Sequence, residues 1–500
     1  MNPQASPPEL ALVLHAHLPW VRHDREDEAI EERWLFEAVI ETYLPLLGMG
    51  RALDRDRVPG SLVLSLSPTL VAMLRDPALR ARFEKHFAKC ERLAGELPGR
   101  LSEAFRPAAE AHRASLAASR ARWDDCRGDL VGAFGDLQST GRFSLWTCAD
   151  PHPLLPLWMD HPWFVDASIE RAISMHRNAF GTVPRGLWLP ECGYAQGLDV
   201  VLARHGIAVT VLETHGVLHG TPRPSRGVGF PVRSPAGVVF AGRDPHAATS
   251  VWSRDVGYPG DPVYADFHTD LGHDRPEGFV APDGTALRTG ARMFAVTDRR
   301  GGAKVPWDPR AARARAAEHA EEFVARRAAA LDGESARISV APYDAELFGH
   351  WWAEGVTFLD AVLRACASRG DLRCVALDAS DAVRDPALET VTPAPSTWGR
   401  GGYLTTWLDG PAAYMARELD AMARALEARG AAAPGAAREA LFAASASDWA
   451  FLLNGGGAPH YARRRFDGHR DDFWRAMAAN WRVPSDPRER SPHGPGEPRP

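Results

Sequence analysis

Two carboxylates in this sequence stand where sugar chemistry could be done. Glu191 follows the apolar run Gly186-Leu187-Trp188-Leu189 and the strand-stopping Pro190, with Tyr194 three residues on. Asp344 follows Ile338-Ser339-Val340-Ala341-Pro342-Tyr343 and leads into Ala345-Glu346-Leu347-Phe348-Gly349-His350-Trp351-Trp352. Each carboxylate thus ends a proline-interrupted apolar strand among aromatics, and the C-terminal ends of parallel strands are where α/β folds keep their reactive groups. Paired carboxylates are the minimum machinery for cleaving a glycosidic bond. One must be ionised, to attack or stabilise the sugar carbon, and the other must hold a proton for the leaving oxygen. A retaining reaction needs the pair about 5–5.5 Å apart, an inverting one more. A competing reading makes Glu191 a helix cap.

Histidines crowd the same positions. The strand Glu9–Leu18 ends in His15-Ala16-His17, and residues two apart on a strand share a face. His152 follows the strand Arg142–Cys148, and Glu213 and His215 close the strand from Ile207. Such a set could bind sugar hydroxyls or hold a hydrolytic metal, as in a polysaccharide deacetylase. A metal needs a third ligand on another strand end beside the His-x-His pair. The sixteen tryptophans, many beside Gly, Pro, His or acidic residues, favour the carboxylates, because indole faces stack on sugar rings. Core filling is the alternative use for them.

These groups need a frame. Strand patterns at 9–18, 60–66, 142–148, 186–189, 207–213, 238–242, 291–297, 336–342 and 374–377 alternate with helical ones at 30–52, 166–180, 198–205, 309–331 and 355–368. That alternation calls for a mostly parallel sheet or barrel with its strand ends on one rim. The Ala-, Arg- and Glu-rich stretch 72–138 reads as a helical insertion of two or three helices, and 251–261 as loop. After Tyr403 the pattern turns wholly helical, with apolar stripes such as Met415-Leu419-Met422-Leu426. The expected organisation is an extension at 1–8, an α/β catalytic barrel at 9–395, a helical domain at 396–481 and a tail at 482–500. Six prolines amid polar filler predict that this tail is disordered.

Bulk properties exclude other classes. A net charge of −6 gives no footprint for nucleic acid or an anionic membrane. No apolar run approaches the roughly 18 residues of a membrane span, and no leader pattern opens the chain. The six scattered cysteines, without a Cys-x-x-Cys, suit reduced thiols and a cytoplasmic location.

Taken in order, His-Ala-His-Leu-Pro-Trp (15–20), Thr-Cys-Ala-x-x-His (147–152), Trp-Leu-Pro-Glu-Cys-Gly-Tyr (188–194), the 343–355 segment and Ser-Ala-Ser-Asp-Trp-Ala-Phe (445–451) resemble glycoside hydrolase family 57. Glu213-Thr-His-Gly, Ala241-Gly-Arg-Asp, Val251-Trp-Ser, Gly257-Tyr-Pro-Gly-Asp and Ser396-Thr-Trp-Gly-Arg-Gly-Gly resemble its α-1,4-glucan branching enzymes. The resemblance covers about residues 9–480. It implies an incomplete (β/α)7 barrel with a C-terminal helical domain, and a retaining mechanism with Glu191 as nucleophile and Asp344 as general acid/base. It further implies α-glucan contacts from His15, His17, His152, Arg243, Trp252, Gly260, His350, Trp398, Trp407 and Asp448. The implied partner is an α-glucan polysaccharide, with no metal and no cofactor. Three departures stand out. Asp150-Pro151-His152 replaces an Ala-Thr-His-like motif, and the stretch after Trp407 is shortened. Residues 214–251 hold no tyrosine where relatives carry a mobile loop with one over the cleft, a loop thought to favour transfer over hydrolysis.

Overall fold

The computed structural model describes residues 7–23, 29–253, 256–274, 289–297, 303–332 and 338–479. The expected disordered tail at 482–500 and residues 1–6 lie outside the described residues. The chain forms two compact units, residues 1–405 and 406–500.

In the first unit, strands β1 (Glu9–Ala16), β2 (Leu62–Leu66), β3 (Phe143–Cys148), β4 (Leu187–Trp188) and β8 (Ile338–Asp344) pair in parallel in the order β4-β3-β2-β1-β8. The parallel bridge Gly186–Val209 carries the arc on to β5 (Val209–Leu212), which pairs in parallel with β7 (Val239–Gly242). The short β6 (Val232–Arg233) lies antiparallel on β7. The order β7-β5-β4-β3-β2-β1-β8 is therefore an arc of seven parallel strands. At its seam the Asp244 N–H donates to the Val340 carbonyl at 2.8 Å. A two-residue β9 (Arg373–Cys374) wedges beside the start of β1.

The strands alternate faces, and the alternation positions the site. Leu10, Leu12 and Leu14 pack outward under the helices, with Leu62, Leu64 and the helical side chains Leu47, Phe134 and Leu359. Ala11, Val13, Val63, Trp146, Cys148, Trp188, Val209, Val211, Val239, Ala241, Ile338 and Val340 fill the interior. One or two steps further along the same inward register come His15 and His17, Ser65 and Ser67, Glu213, Arg243 and Asp344. Polar residues therefore cap an apolar barrel interior at its C-terminal end.

Residues 68–139 form the helices Pro68–Arg75, Pro77–Arg100, Arg106–Asp125 and Leu130–Ser139. Two segments differ from the sequence reading. Residues 251–252 end a helix, Pro245–Trp252, instead of a loop. Asp244 caps it by accepting the His246 and Ala247 N–H groups, and Pro245 preorganises its first turn. Residues 291–297 make only isolated antiparallel bridges, Ala265–Ala295 and Phe294–Pro306, and no strand of the barrel. Their apolar side chains Ala291, Met293 and Phe294 pack instead on Leu97 and Phe105 of the helical insertion, which the alternating pattern alone does not distinguish from a sheet.

The second unit contains the helices Ala413–Arg429, Gly435–Ala444, Asp448–Gly455 and Pro459–Ala479. Met422, Leu426, Leu441, Trp449, Phe466 and Phe473 are buried in it. The shortened stretch after Trp407 is fastened by Asn454, whose amide donates to the Thr406 and Asp409 carbonyls and accepts the Ala412 N–H.

Candidate active site

Glu191 sits in a tight turn, Pro190–Cys192, with φ 61° and ψ 22°. This is the left-handed region, which costs a non-glycine residue about 1–2 kcal/mol. The described non-glycine residues with positive φ are Arg57, Arg127, His152, Glu191 and Cys192, so three of five are in this site. Concentrated backbone strain of that kind is characteristic of functional sites. The turn is held by the Cys192 N–H donating to the Leu189 carbonyl at 2.9 Å. Glu191 caps no helix, since the next one, Leu198–Arg204, begins at Gly197.

The partner of Glu191 comes from far along the chain. Residues 390–398 run as a strap across the loops that follow β4 and β5 and along the end of β6. Arg233, Thr221 and Tyr194 bridge to Thr390, Thr392 and Ser396, and the Gly216 carbonyl accepts the Ala394 N–H. The strap ends with the Trp398 N–H donating to the Glu191 carbonyl at 3.0 Å and the indole Nε1–H donating to the Glu191 carboxylate at 2.9 Å. Gly402 makes the following turn. Its φ is +84°, and a Cβ there would meet the His215 ring at 2.6 Å. His215 bonds the Gly402 carbonyl through Nε2 at 3.0 Å. The Glu-Thr-His-Gly and Ser-Thr-Trp-Gly-Arg-Gly-Gly motifs are thus two halves of one contact.

The histidines form a stack. His17 lies on His152 with ring centroids 3.7 Å apart and planes within 9°, and His15 lies on Trp188 at 4.8 Å. His15 Nε2 faces His152 Nε2 at 3.1 Å. Burial, with His152 and His17 as neighbours, holds the His15 pKa well below the usual histidine range. The β1–β2 register sets His15 opposite Ser65, and each histidine meets a serine: His15 Nδ1 with Ser65 Oγ at 3.4 Å, His17 Nδ1 with Ser67 Oγ at 2.8 Å. The altered Asp150-Pro151-His152 motif still delivers its imidazole here, with His152 Nδ1 3.8 Å from a Glu191 carboxylate oxygen.

Asp344 is partly exposed at the end of β8 in ordinary extended geometry, φ −65° and ψ 133°. Loss of hydration pushes its carboxyl well above the usual range, and the neighbouring carboxyls of Glu346 and Glu191 push it further, against the pull of Arg243. Glu346 is buried and accepts the Tyr43 hydroxyl and the His17 N–H. Burial raises it to about 7. Arg243 is fixed by Glu213 at 2.8 Å, with its guanidinium 5.9 Å from the Trp398 ring centroid. Trp252 meets Trp398 edge to face at 6.3 Å and is 38% exposed, so part of its indole is open to solvent.

Other expected contacts are more dispersed. The His350 ring bonds Glu41 at 2.6 Å, and its carbonyl accepts Arg292. Gly260 is exposed on a loop whose Tyr258 stacks on His319. Trp407 is buried within the second unit, and Asp448 opens one of its helices. Several tryptophans, among them Trp146, Trp352 and Trp449, are core fillers. Sequence reasoning missed Ser65, Ser67, Tyr43 and Glu346 as partners. Ser-x-Ser fifty residues after His-x-His, on the next strand, was the available signal for the first two. The Tyr-free segment after β5 is pinned to the start of the strap, where Ser225 donates twice to Glu389. Among the described residues no helix is long and apolar enough to cross a membrane.

Residues 11–388 match the model of glycosyl hydrolase family 57, and residues 411–485 match that of the 1,4-α-glucan branching enzyme C-terminal region. A probable 1,4-α-glucan branching enzyme of Mycobacterium tuberculosis is 31% identical over 94% of this chain and 92% of its own. The crystal structure of a branching enzyme from Pyrococcus horikoshii superposes with a TM-score of 0.81 at 29% identity, covering 92% of this chain and 88% of that one. The α-amylase AmyC from Thermotoga maritima superposes with a TM-score of 0.84 at 31% identity, covering 94% and 93%. The chain belongs to glycosyl hydrolase family 57.

Proposed function

We propose that this family 57 protein is a retaining 1,4-α-glucan branching enzyme acting on glycogen- or amylose-like chains in the cytoplasm. Glu191 attacks the anomeric carbon while Asp344 protonates the departing 4-oxygen. The leaving end of the glucan departs, and a covalent glycosyl-enzyme remains on Glu191. Asp344, now ionised, takes the proton from the 6-hydroxyl of an acceptor glucan, whose oxygen displaces Glu191 and forms the 1,6-branch. The observation that carries this reading is the unequal pair. Trp398 donates a hydrogen bond to the Glu191 carboxylate, whereas Asp344 is driven toward its protonated form. His15, His17 and His152 face the donor sugar, and Arg243, Trp252, Gly260, His350 and Trp398 contact the glucan.

Transfer, as opposed to hydrolysis, is supported by the branching-enzyme C-terminal match and by branching-enzyme relatives along the chain. Hydrolysis is the second reading, favoured by the likeness to an α-amylase and by the Tyr-free segment after β5. Incubation with amylose followed by enzymatic debranching separates the two. New α-1,6-linked chains without a matching rise in reducing ends are expected. Reducing ends without new branches would make the protein a hydrolase, and an unchanged polymer would remove the enzymatic reading.

A further inference from the structure

We propose that the floor of this cleft is also a binding site for one soft divalent cation, Zn2+ by preference, held by His15, Cys148 and His152, and that its occupancy arrests the sugar chemistry. All three residues are buried, and one donor atom from each lies within 4.8 Å of the others. Cys148 is the last residue of β3 and His152 follows it closely, so two neighbouring strand ends supply the three ligands, one imidazole from β1 and a thiol and an imidazole from the end of β3.

The imidazole pair stands close to the spacing of a tetrahedral ion, with the thiol within 4.8 Å of it. Zn–N distances of about 2.0–2.1 Å and a Zn–S distance of about 2.3 Å put the donor atoms of a tetrahedral site roughly 3.3–3.6 Å apart. His15 Nε2 and His152 Nε2 already face each other at 3.1 Å. Without an ion that pair can share only one proton, as a single N–H···N bond. With an ion both nitrogens and the sulfur are used, and the fourth position opens to water or to a sugar hydroxyl. The outer partners are also those a metal-bound imidazole takes. His15 Nδ1 meets Ser65 Oγ at 3.4 Å, and His152 Nδ1 lies 3.8 Å from the Glu191 carboxylate. Binding requires neutral imidazoles and the thiolate, and the thiol proton leaves to solvent with no change of oxidation state. A bound cation would polarise the His152 Nδ1–H toward Glu191 and draw the carboxylate's charge away from the anomeric carbon. The arrest rests on Glu191 being the nucleophile; the ion site itself does not.

The test uses the full-length protein stripped of metal. Zn2+ titrated against a chromophoric chelator should bind at one ion per chain, and Co2+ should give a thiolate-to-cobalt charge-transfer band in the near ultraviolet. Cys148→Ala should lose that band and bind Zn2+ at least about 10-fold to 100-fold more weakly. It should also turn over amylose normally without metal and resist Zn2+ inhibition by the same factor. Absence of a stoichiometric ion, a Co2+ spectrum without the band, or a Cys148→Ala protein that binds Zn2+ as tightly as the parent overturns the site. The Co2+ spectrum of the unmodified protein decides the matter even if the variant fails to fold. Stoichiometric binding with turnover untouched overturns the arrest, and loss of turnover in metal-free Glu191→Gln separates that result from a wrong nucleophile.

Discussion

The Glu191 turn and the Asp344 strand end read alike in sequence and are built in opposite ways. Glu191 stands in strained left-handed backbone, and an indole N–H on a strap two hundred residues downstream fixes its carboxylate. Asp344 ends a regular strand, and its nearest charged company is two more carboxyls and one arginine. A directed donor favours a fixed anion, whereas poor hydration and like charges favour a bound proton. Chemical type and strand position are thus shared, and the neighbours make the two carboxyls electrostatically unequal.

Substitution should break that contrast in graded steps. Glu191→Gln is expected to lower kcat on amylose on the order of 10⁴-fold or more, since the neutral amide cannot form the covalent intermediate proposed for Glu191. Asp344→Asn should cost about 10²-fold to 10⁴-fold on amylose. With an α-glycosyl fluoride, whose leaving group departs without a proton, it should recover its first step, and Glu191→Gln should not. Equal recovery in both would erase the division of roles. Trp398→Phe keeps an aromatic against Trp188 and removes the donor. A hydrogen bond to a charged group contributes about 1.5–3 kcal/mol, so kcat should fall roughly 10-fold to 150-fold.

Two further carboxyls sharpen the same comparison. Above the Asp344 pKa the acid is lost and the rate falls. Removing the neighbouring charge in Glu346→Gln should therefore move the basic limb of the pH–kcat profile to lower pH. Glu354 is a control outside the pair. It is buried, accepts the Trp307 indole N–H at 2.9 Å, and is raised by burial to about 7. Its folded pKa exceeds the ordinary 4.5, so the folded state holds the extra proton. Its contribution to stability is complete below pH 4.5 and is lost as pH rises through 7. The urea midpoint should decline from pH 5 to pH 8, and Glu354→Gln should flatten that decline with kcat unchanged.

The parts legible in sequence were those written in local register. Strand alternation placed His15, His17, Glu213, Arg243 and Asp344 on one rim, and proline with aromatics marked both carboxylates. The Trp398–Glu191 bond was not legible, because the strap is extended chain with no period of its own and its partners lie on three segments far apart in sequence from it. The Tyr43–Glu346 bond also joins distant segments, and nothing local to either residue announces it. The loop reading at Trp252 failed for a local reason, since the Asp244-Pro245 start signal was present and was outweighed by the glycine and aromatic residues that follow.

Trapping tests the central assignment most directly. A 5-fluoro-glycosyl fluoride slows the second step and lets the glycosyl-enzyme accumulate. Digestion and mass spectrometry should then find the sugar on the peptide that carries Glu191, in ester linkage. A label on Asp344 or Glu213, or no label on an active enzyme, would contradict the account.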